Sequence, residues 1–249
     1  MKNDENNRER TLSPLKTVSA WMPAVFISIG LLMLGICIRN GFGMVSSNSR
    51  VVAVRGLSER EVNANKVTWP IVSKIVGNDL TQIYSQVSAT DDAIVNFLKK
   101  NGITDKEFQV NAPKVQDMQA DSYGGTPPPY RYNVTTVVVV TSSQVAKIQE
   151  LMNKQTELMQ QGIAIVAGDY NYQTLYEFTE LNQIKPDMVA DATRNARKAA
   201  QKFAEDSESR LGKIKSASQG QFSIEDRDQY TPSIKRVRVV STIEYYLKD

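Results

Sequence analysis

From Val18 to Ile38 the chain reads VSAWMPAVFISIGLLMLGICI, 21 residues without a charged side chain. As an α-helix rising about 1.5 Å per residue, such a run spans about 30 Å, the thickness of a bilayer's hydrocarbon core. It therefore divides the chain into an N-terminal tail (1–17), a transmembrane helix or uncleaved signal anchor (18–38), a small-residue linker (39–49) and a body (50–249). Lys2, Arg8, Arg10 and Lys16 precede the run, and only Arg39 and Arg50 closely follow it. This bias predicts a cytoplasmic tail and an exported body. Trp21 suits the membrane interface, and Pro23 is read as part of the first helical turn. The alternative is a cleaved signal peptide with its apolar region at 24–38, which releases the body. The following RNGFGMVSSNS offers no clean small-x-small cleavage site.

The chemistry open to the chain is narrow. It has no histidine, and its one cysteine, Cys37, lies inside the apolar run. That removes Ser-His and Cys-His nucleophile pairs, thiolate clusters, disulfides and the commonest metal ligand. The net charge of +3 comes largely from the N-terminal region. A nearly neutral body has no electrostatic footprint for nucleic acid. The expectation is no enzyme, no cofactor and no metal.

Within the body, three segments carry helical periodicity. The first, Asp79 to Asn101, opens with a capping-box-like Asp79/Gln82 pair, places Ile83, Val87, Ile94 and Phe97/Leu98 on one face, and stops at Gly102. The second runs from about Ser143 to Gln161 and stops at Gly162. The third, Pro186 to Leu211, repeats Val189, Ala192, Ala196, Ala199/Ala200, Phe203 and Ser207, and is expected to end at Gly212. Strand character marks 51–55, 66–76, 107–116, 130–141, 169–179, 213–223 and 236–247. In the last of these, Val237, Val239, Ser241, Ile243 and Tyr245 alternate with polar residues, the pattern of a sheet with one covered face. Pro70 and Pro113 demote their strands to edges or bulges, whereas Val137–Val140 reads as a central strand. The order predicts an α+β fold: mixed, largely antiparallel sheet or sheets, with three long helices packed on one face and the transmembrane helix in front. One long sheet and two subdomains both fit.

No phosphate loop or dinucleotide fingerprint is present. Gly212-Lys213 is read as a helix end. The carboxylates Asp91-Asp92, Asp187/Asp191, Glu205-Asp206 and Glu225-Asp226/Asp228 read as solvated faces and strand ends, with the 225–229 cluster as a salt-bridged loop. Arg194, Arg197, Lys198 and Lys202 are interleaved with acids and read the same way. Tyr170, Tyr172, Tyr176 and Phe178 form a period-2 stripe read as packing. The most individual feature is 121-DSYGGTPPPYR-131, where three prolines enforce an extended strip. Tyr123, Pro127, Pro128, Pro129 and Tyr130 are the candidate interaction residues, against the plainer reading of a long hairpin loop.

The stretches 51-VVAVRGLSEREVNAN-65, 67-VTWPIV-72, 77-GNDL-80, 161-QGI-163, 181-LNQIKPDMVADATRNARKAAQKFAEDSESRLGKIKSASQGQFSI-224 and 235-KRVRVVSTIEYYL-247 resemble the SIMPL domain family, in its exported bacterial branch with an N-terminal membrane segment. The resemblance covers nearly everything from Val51 onward. Where many relatives carry a Pro-Asp pair, this chain has Trp69-Pro70. The resemblance implies a periplasmic α+β domain, self-association in some members, and links to envelope or oxidative-stress phenotypes. It supplies no catalytic residues.

Together these readings point to a bacterial inner-membrane protein, single-pass through residues 18–38 in contact with membrane lipid, whose body acts without catalysis as a homo-oligomer or by binding another envelope protein. The competing class is a small-ligand binder or a His-independent hydrolase using carboxylates such as Glu225, Asp226 and Asp228 in a helix–sheet cleft. The alanine-rich stripe of the third helix implies a close approach to its partner layer. Ala196→Leu should overpack that contact and cost about 1–3 kcal/mol. A thermal melt that shows no destabilisation would remove the assignment.

Overall fold

The computed structural model describes residues 14–46, 50–120, 128–166 and 169–248, and within the first helix the side chains of 23–39. The described residues begin with helix α1 (Pro14–Ser46), then strands β1 (Val51–Asn63) and β2 (Lys66–Gly77) and helix α2 (Leu80–Lys100). Strands β3 (Phe108–Val110), β4 (Lys114–Asp117) and β5 (Tyr132–Ser142) follow, then helices α3 (Val145–Lys154) and α4 (Thr156–Gln160). A single 3-10 turn (Tyr170–Tyr172) leads to β6 (Leu175–Glu177), α5 (Leu181–Asp206), β7 (Arg210–Gln219), β8 (Ser223–Asp226) and β9 (Ile234–Lys248). The class is α+β, as expected, and the described residues form two sheets. The first has order β1-β9-β7 with β8 beside β9, and the second β3-β5-β2-β6 with β4 beside β5.

Helix α1 starts at Pro14, which suits the first helical position, so Pro23 lies in its interior rather than its first turn. The helix also runs to Ser46, through most of the stretch expected as a linker. Glycines lower helix stability by about 1 kcal/mol each without forbidding the continuation. Among the described residues no helix is long and apolar enough to cross a membrane. The side chains of residues 18–22 of the apolar run, and all of 1–13, lie outside the described residues.

The chain divides into two compact units. In the unit comprising 1–55, 196–218 and 242–249, Ala196 and Ala200 of α5 pack with Val54, Ile243 and Tyr245. Gly212, expected to cap a helix, instead lies inside β7. A Cβ there would stand 2.7 Å from the Tyr246 carbonyl oxygen, so the close strand approach requires glycine. The helix stops earlier, through Glu208 in the left-handed region (φ 53). Ser209 N donates to Ala204 O (2.8 Å) and Glu208 N to Glu205 O (3.0 Å), the double bond pattern of a Schellman cap without its usual glycine.

The larger unit, 56–195 and 219–241, contains the whole second sheet. There Met188 and Ala192 pack on Val237 and Val239, with Leu181 and Ile184 from the first turns of α5 against the same cluster. This packing carries the helix start back to Leu181 and leaves Pro186 inside it, where proline costs about 3 kcal/mol in an isolated helix. The buried stripe of α5 is a strict i+4 row: Met188, Ala192, Ala196, Ala200 and Ala204. Val189 and Phe203 are not in it, and Phe203 is exposed.

On the second sheet, β5 lies between β2 and the short β3 and β4, the central place expected from its valines. Pro113 separates β3 from β4. The β2–β5 register runs from Val67↔Ser142 to Gly77↔Tyr132. It puts Val67, Trp69, Ile71, Val138 and Val140 on one face, where Ile94, Leu98, Ile148, Leu151 and Leu158 from the helices close the core. Strand β2 is interior, not an edge, and still tolerates Pro70. Val72 O accepts from Val166 N, so the even-numbered backbone groups of this segment point away from β5, and β6 pairs only Lys66–Thr68 on that side. The ring of Pro70 therefore removes a donor on the side away from β5, outside the β6 pairing.

Asp79 caps α2 by accepting from Thr81 N (2.7 Å) and Gln82 N (3.3 Å). The second expected helix is broken at Gln155 into α3 and α4. Helices α2 and α4 end alike: Gly102 (φ 76) and Gly162 (φ 81) sit at the left-handed position, and Ile103 N and Ile163 N reach back to Leu98 O and Leu158 O. Their shared Leu-x-x-x-Gly-Ile spelling is a Schellman motif whose leucine and isoleucine both enter the core. The two kinds of cap predict opposite responses. Gly102→Ala should lower stability by about 1–2 kcal/mol, and Glu208→Gly should raise it by about 1 kcal/mol. Urea midpoints with unchanged slopes check both.

Candidate functional site

The Tyr/Pro strip joins β4 to β5. Its base is fixed on both sides: Met118 N donates to Arg131 O (2.7 Å), Arg131 N to Asn78 Oδ1 (2.8 Å), and the Arg131 guanidinium pairs with Asp117 at 2.9 Å. The Arg131 hydrogen bond is the main reason the Asp117 carboxyl is held below its ordinary pKa. Of the candidate residues, Pro128, Pro129 and Tyr130 are described, the last two exposed. Tyr123 and Pro127 lie outside the described residues.

Several of the carboxylates singled out from the sequence are engaged in structural contacts. Asp228 accepts from Tyr230 N and Thr231 N, both at 2.8 Å, from the Thr231 hydroxyl and from Arg227 Nε, which together hold its carboxyl far below the usual range. Asp226 pairs with Lys235, and Arg227 with Glu61 at 3.6 Å. Glu225 stands opposite Arg236, whose guanidinium pairs with Glu59 at 3.3 Å. This is the salt-bridged loop read from the sequence. Among the described residues no group of three or more carboxylate or thiol ligands could hold a metal ion. On α5, Asp191 pairs with Arg194 (2.6 Å) and Lys202 with Asp206 (2.8 Å).

The aromatic stripe does not exist as such. The Asp169 side chain accepts from Asn171 N (3.1 Å) and winds Tyr170–Tyr172 into one turn. Tyr170 is consequently 86% exposed, while Tyr176 joins the helix-side core and donates to Met152 S (3.8 Å). Phe178 packs instead near Met188.

What the sequence did not disclose is a cavity of about 490 Å³ on the sheet face turned away from α2 and α3. The register that sends Trp69, Ile71 and Val138 inward sends Lys74 outward opposite Thr135, and Lys114 opposite Thr135 from the other side. Asn133 stands opposite Gln116 in the next row. Asp169, Asn171 and Tyr172 close the cavity. Lys74 Nζ donates to Asp169 Oδ2 at 3.1 Å. The backbone N–H of Asn171, followed by this lysine, keeps the Asp169 carboxyl below its ordinary pKa. Asn133 Oδ1 is buried and accepts no hydrogen bond. A second cavity of about 280 Å³ shares Asp169 and Tyr172 and reaches Trp69, Pro70 and Met152. On the helix side, a cavity of about 430 Å³ between Ile75, Gln86, Thr90 and Ile163 holds no carboxylate. Glu225, Asp226 and Asp228 line none of these three.

The lining of the first cavity combines two ammonium groups, one carboxylate, two hydroxyls and three amides. Its amides, hydroxyls and ammonium groups can orient and hold a polar molecule.

Residues 52–242 match the family model SIMPL, described as "Protein of unknown function (DUF541)". No curated protein matches the chain.

One acid does sit between helix and sheet. Asp91 of α2 accepts from Thr136 Oγ1 of β5 at 2.7 Å. Burial, with a lesser push from Asp92, raises its pKa above the ordinary value despite that bond. The folded state thus binds the Asp91 proton more tightly than the unfolded chain. The stability this gives is full below the ordinary carboxyl range and is lost as pH rises through the folded pKa. Asp91→Asn keeps an acceptor for Thr136 and carries no charge. Its melting temperature should exceed the parent's at pH 7, with the gap closing towards pH 3.

Proposed function

This chain belongs to the SIMPL family, and from that premise we propose that it is a tethered protein of the bacterial envelope whose body works without catalysis by assembling with copies of itself. Residues 18–38 hold it in the inner membrane, the tail 1–17 remains in the cytoplasm, and the body from residue 50 faces the periplasm. The observation that carries this reading is the surface of α1. Val25, Phe26, Ile29, Leu31, Leu32, Met33, Leu34 and Ile36 are all about half or more exposed, and they are spread round the helix rather than along one stripe. A helix apolar on every side has a stable place in a protein core or in lipid, and no part of the described chain covers this one. Its one described hydroxyl, Ser28 Oγ, donates to Ala24 O at 2.9 Å, which satisfies that donor within the helix.

Self-assembly is supported by the outer strand β7. It is the end of the β1-β9-β7 order, and its residues 213–219 are exposed, leaving one row of backbone groups open to a neighbour. The anchored body would present that edge with its orientation fixed by the membrane.

Small-ligand binding is the second reading, favoured by the polar cavity beside Lys74 and Asn133. It differs from the carboxylate-cleft version in that Glu225, Asp226 and Asp228 are not in the lining, whose one carboxylate, Asp169, is paired with Lys74.

The tether is tested by washing membranes of expressing cells with alkaline carbonate and treating spheroplasts with protease. The chain is expected to stay in the pellet and the body to be digested from outside. Recovery in the soluble wash would overturn the tether. Light scattering on the full chain in detergent, across a hundredfold concentration range, should give a defined multimer, and a monomer throughout would overturn self-assembly.

A further inference from the structure

We infer that the cavity formed by β2, β4, β5 and the Asp169–Tyr172 turn is a binding site for a small hydroxylated monocarboxylate, with the chemistry of a free sugar acid. This deepens the small-ligand reading and is independent of the tether.

Charge gives the first part of the ligand. Lys74, Lys114 and Asp169 line the cavity, so two ammonium groups face one carboxylate. The Asp169 carboxyl is ionised, because the Asn171 backbone N–H and the Lys74 ammonium both favour its anion. Lys74 is pinned by that carboxylate at 3.1 Å. Lys114 lies exposed on β4, and among the described residues no carboxylate pairs with it. The excess is one positive charge, which matches a monoanion placed at Lys114.

Hydrogen bonding gives the second part. The buried Oδ1 of Asn133 has no donor from the protein. An acceptor in that state asks for an O–H or N–H from whatever occupies the cavity. A bare carboxylate cannot supply one, whereas a hydroxylated one can. The remaining lining, Thr135, Gln116, Asn171 and Tyr172, offers hydroxyl and amide groups in several directions, suited to a ring of hydroxyls rather than a hydrocarbon. The volume, about 490 Å³, is in the range of small-molecule sites.

Titration calorimetry of the full chain in detergent tests this with D-glucuronate, D-glucose and acetate as probes. Saturable binding of glucuronate is expected, with glucose and acetate at least tenfold weaker. Lys114→Gln, at an exposed position, should weaken glucuronate at least tenfold while leaving the thermal melt unchanged. Asn133→Ala should do the same for glucuronate and leave acetate unaffected. Glucose binding as tightly as glucuronate would overturn this ligand class and keep the small-ligand reading. Failure of all three probes to bind would overturn both. Undiminished glucuronate affinity in Lys114→Gln would overturn the assigned site.

Discussion

The register between β2 and β5 is the constraint on which the rest depends. Strand side chains alternate with a period of two, so one pairing decides simultaneously what enters the core and what faces outward. With Ile71 opposite Val138, the apolar residues of both strands meet α2, α3 and α4. The same pairing puts Lys74 beside Thr135 and Asn133 beyond it on the reverse face. A slip of β2 by one residue would drive Lys74 under the helices and turn Trp69 and Ile71 out. The polar cavity is therefore a by-product of core formation and needs no separate device to assemble it.

Local signals were readable in the sequence wherever the deciding atoms are close along the chain. The Asp79 cap, the two glycine-closed helices and the alternation of β9 all belong to this class. The α+β class and its antiparallel sheets followed from them. The two ends of α5 differ from the sequence reading for different reasons, the first decided at a distance and the second by an unusual local conformation. Leu181 and Ile184 extend the helix across Pro186 by joining a cluster with Val237 and Val239, and at the other end Glu208 takes a conformation that glycine usually takes. Gly212 was assigned to that missing role because a glycine after a helical stripe reads as a stop. Its real constraint is the carbonyl of Tyr246, which sequence spacing does not reveal.

The cavity was illegible for a related reason. Its lining comes from four separated pieces of chain, none with a motif of its own, and only the strand register brings them together. By contrast, the acidic cluster at 225–228 stood out in the sequence and proved to be a turn locked by its own hydrogen bonds. Within that turn Asp228 accepts four hydrogen bonds, which leaves it little capacity for a ligand. The Tyr/Pro strip remains distinctive, and the Arg131–Asp117 pair at its base fixes where it leaves the sheet.

Pro70 has a further consequence. It stands between the short β6 pairing at 66–68 and the Ser73–Ile165 bridge, on the side of β2 where no strand of the described residues pairs along the full length. Without an N–H there, this margin cannot template the growth of another strand, whether from the same chain or an incoming one. The sheet is thus protected from zipping up on that flank. At Pro70 the backbone offers only its carbonyl, so a molecule in the groove beside Trp69 finds one ladder group fewer to hold, and recruitment by backbone addition is better served by other margins of the molecule.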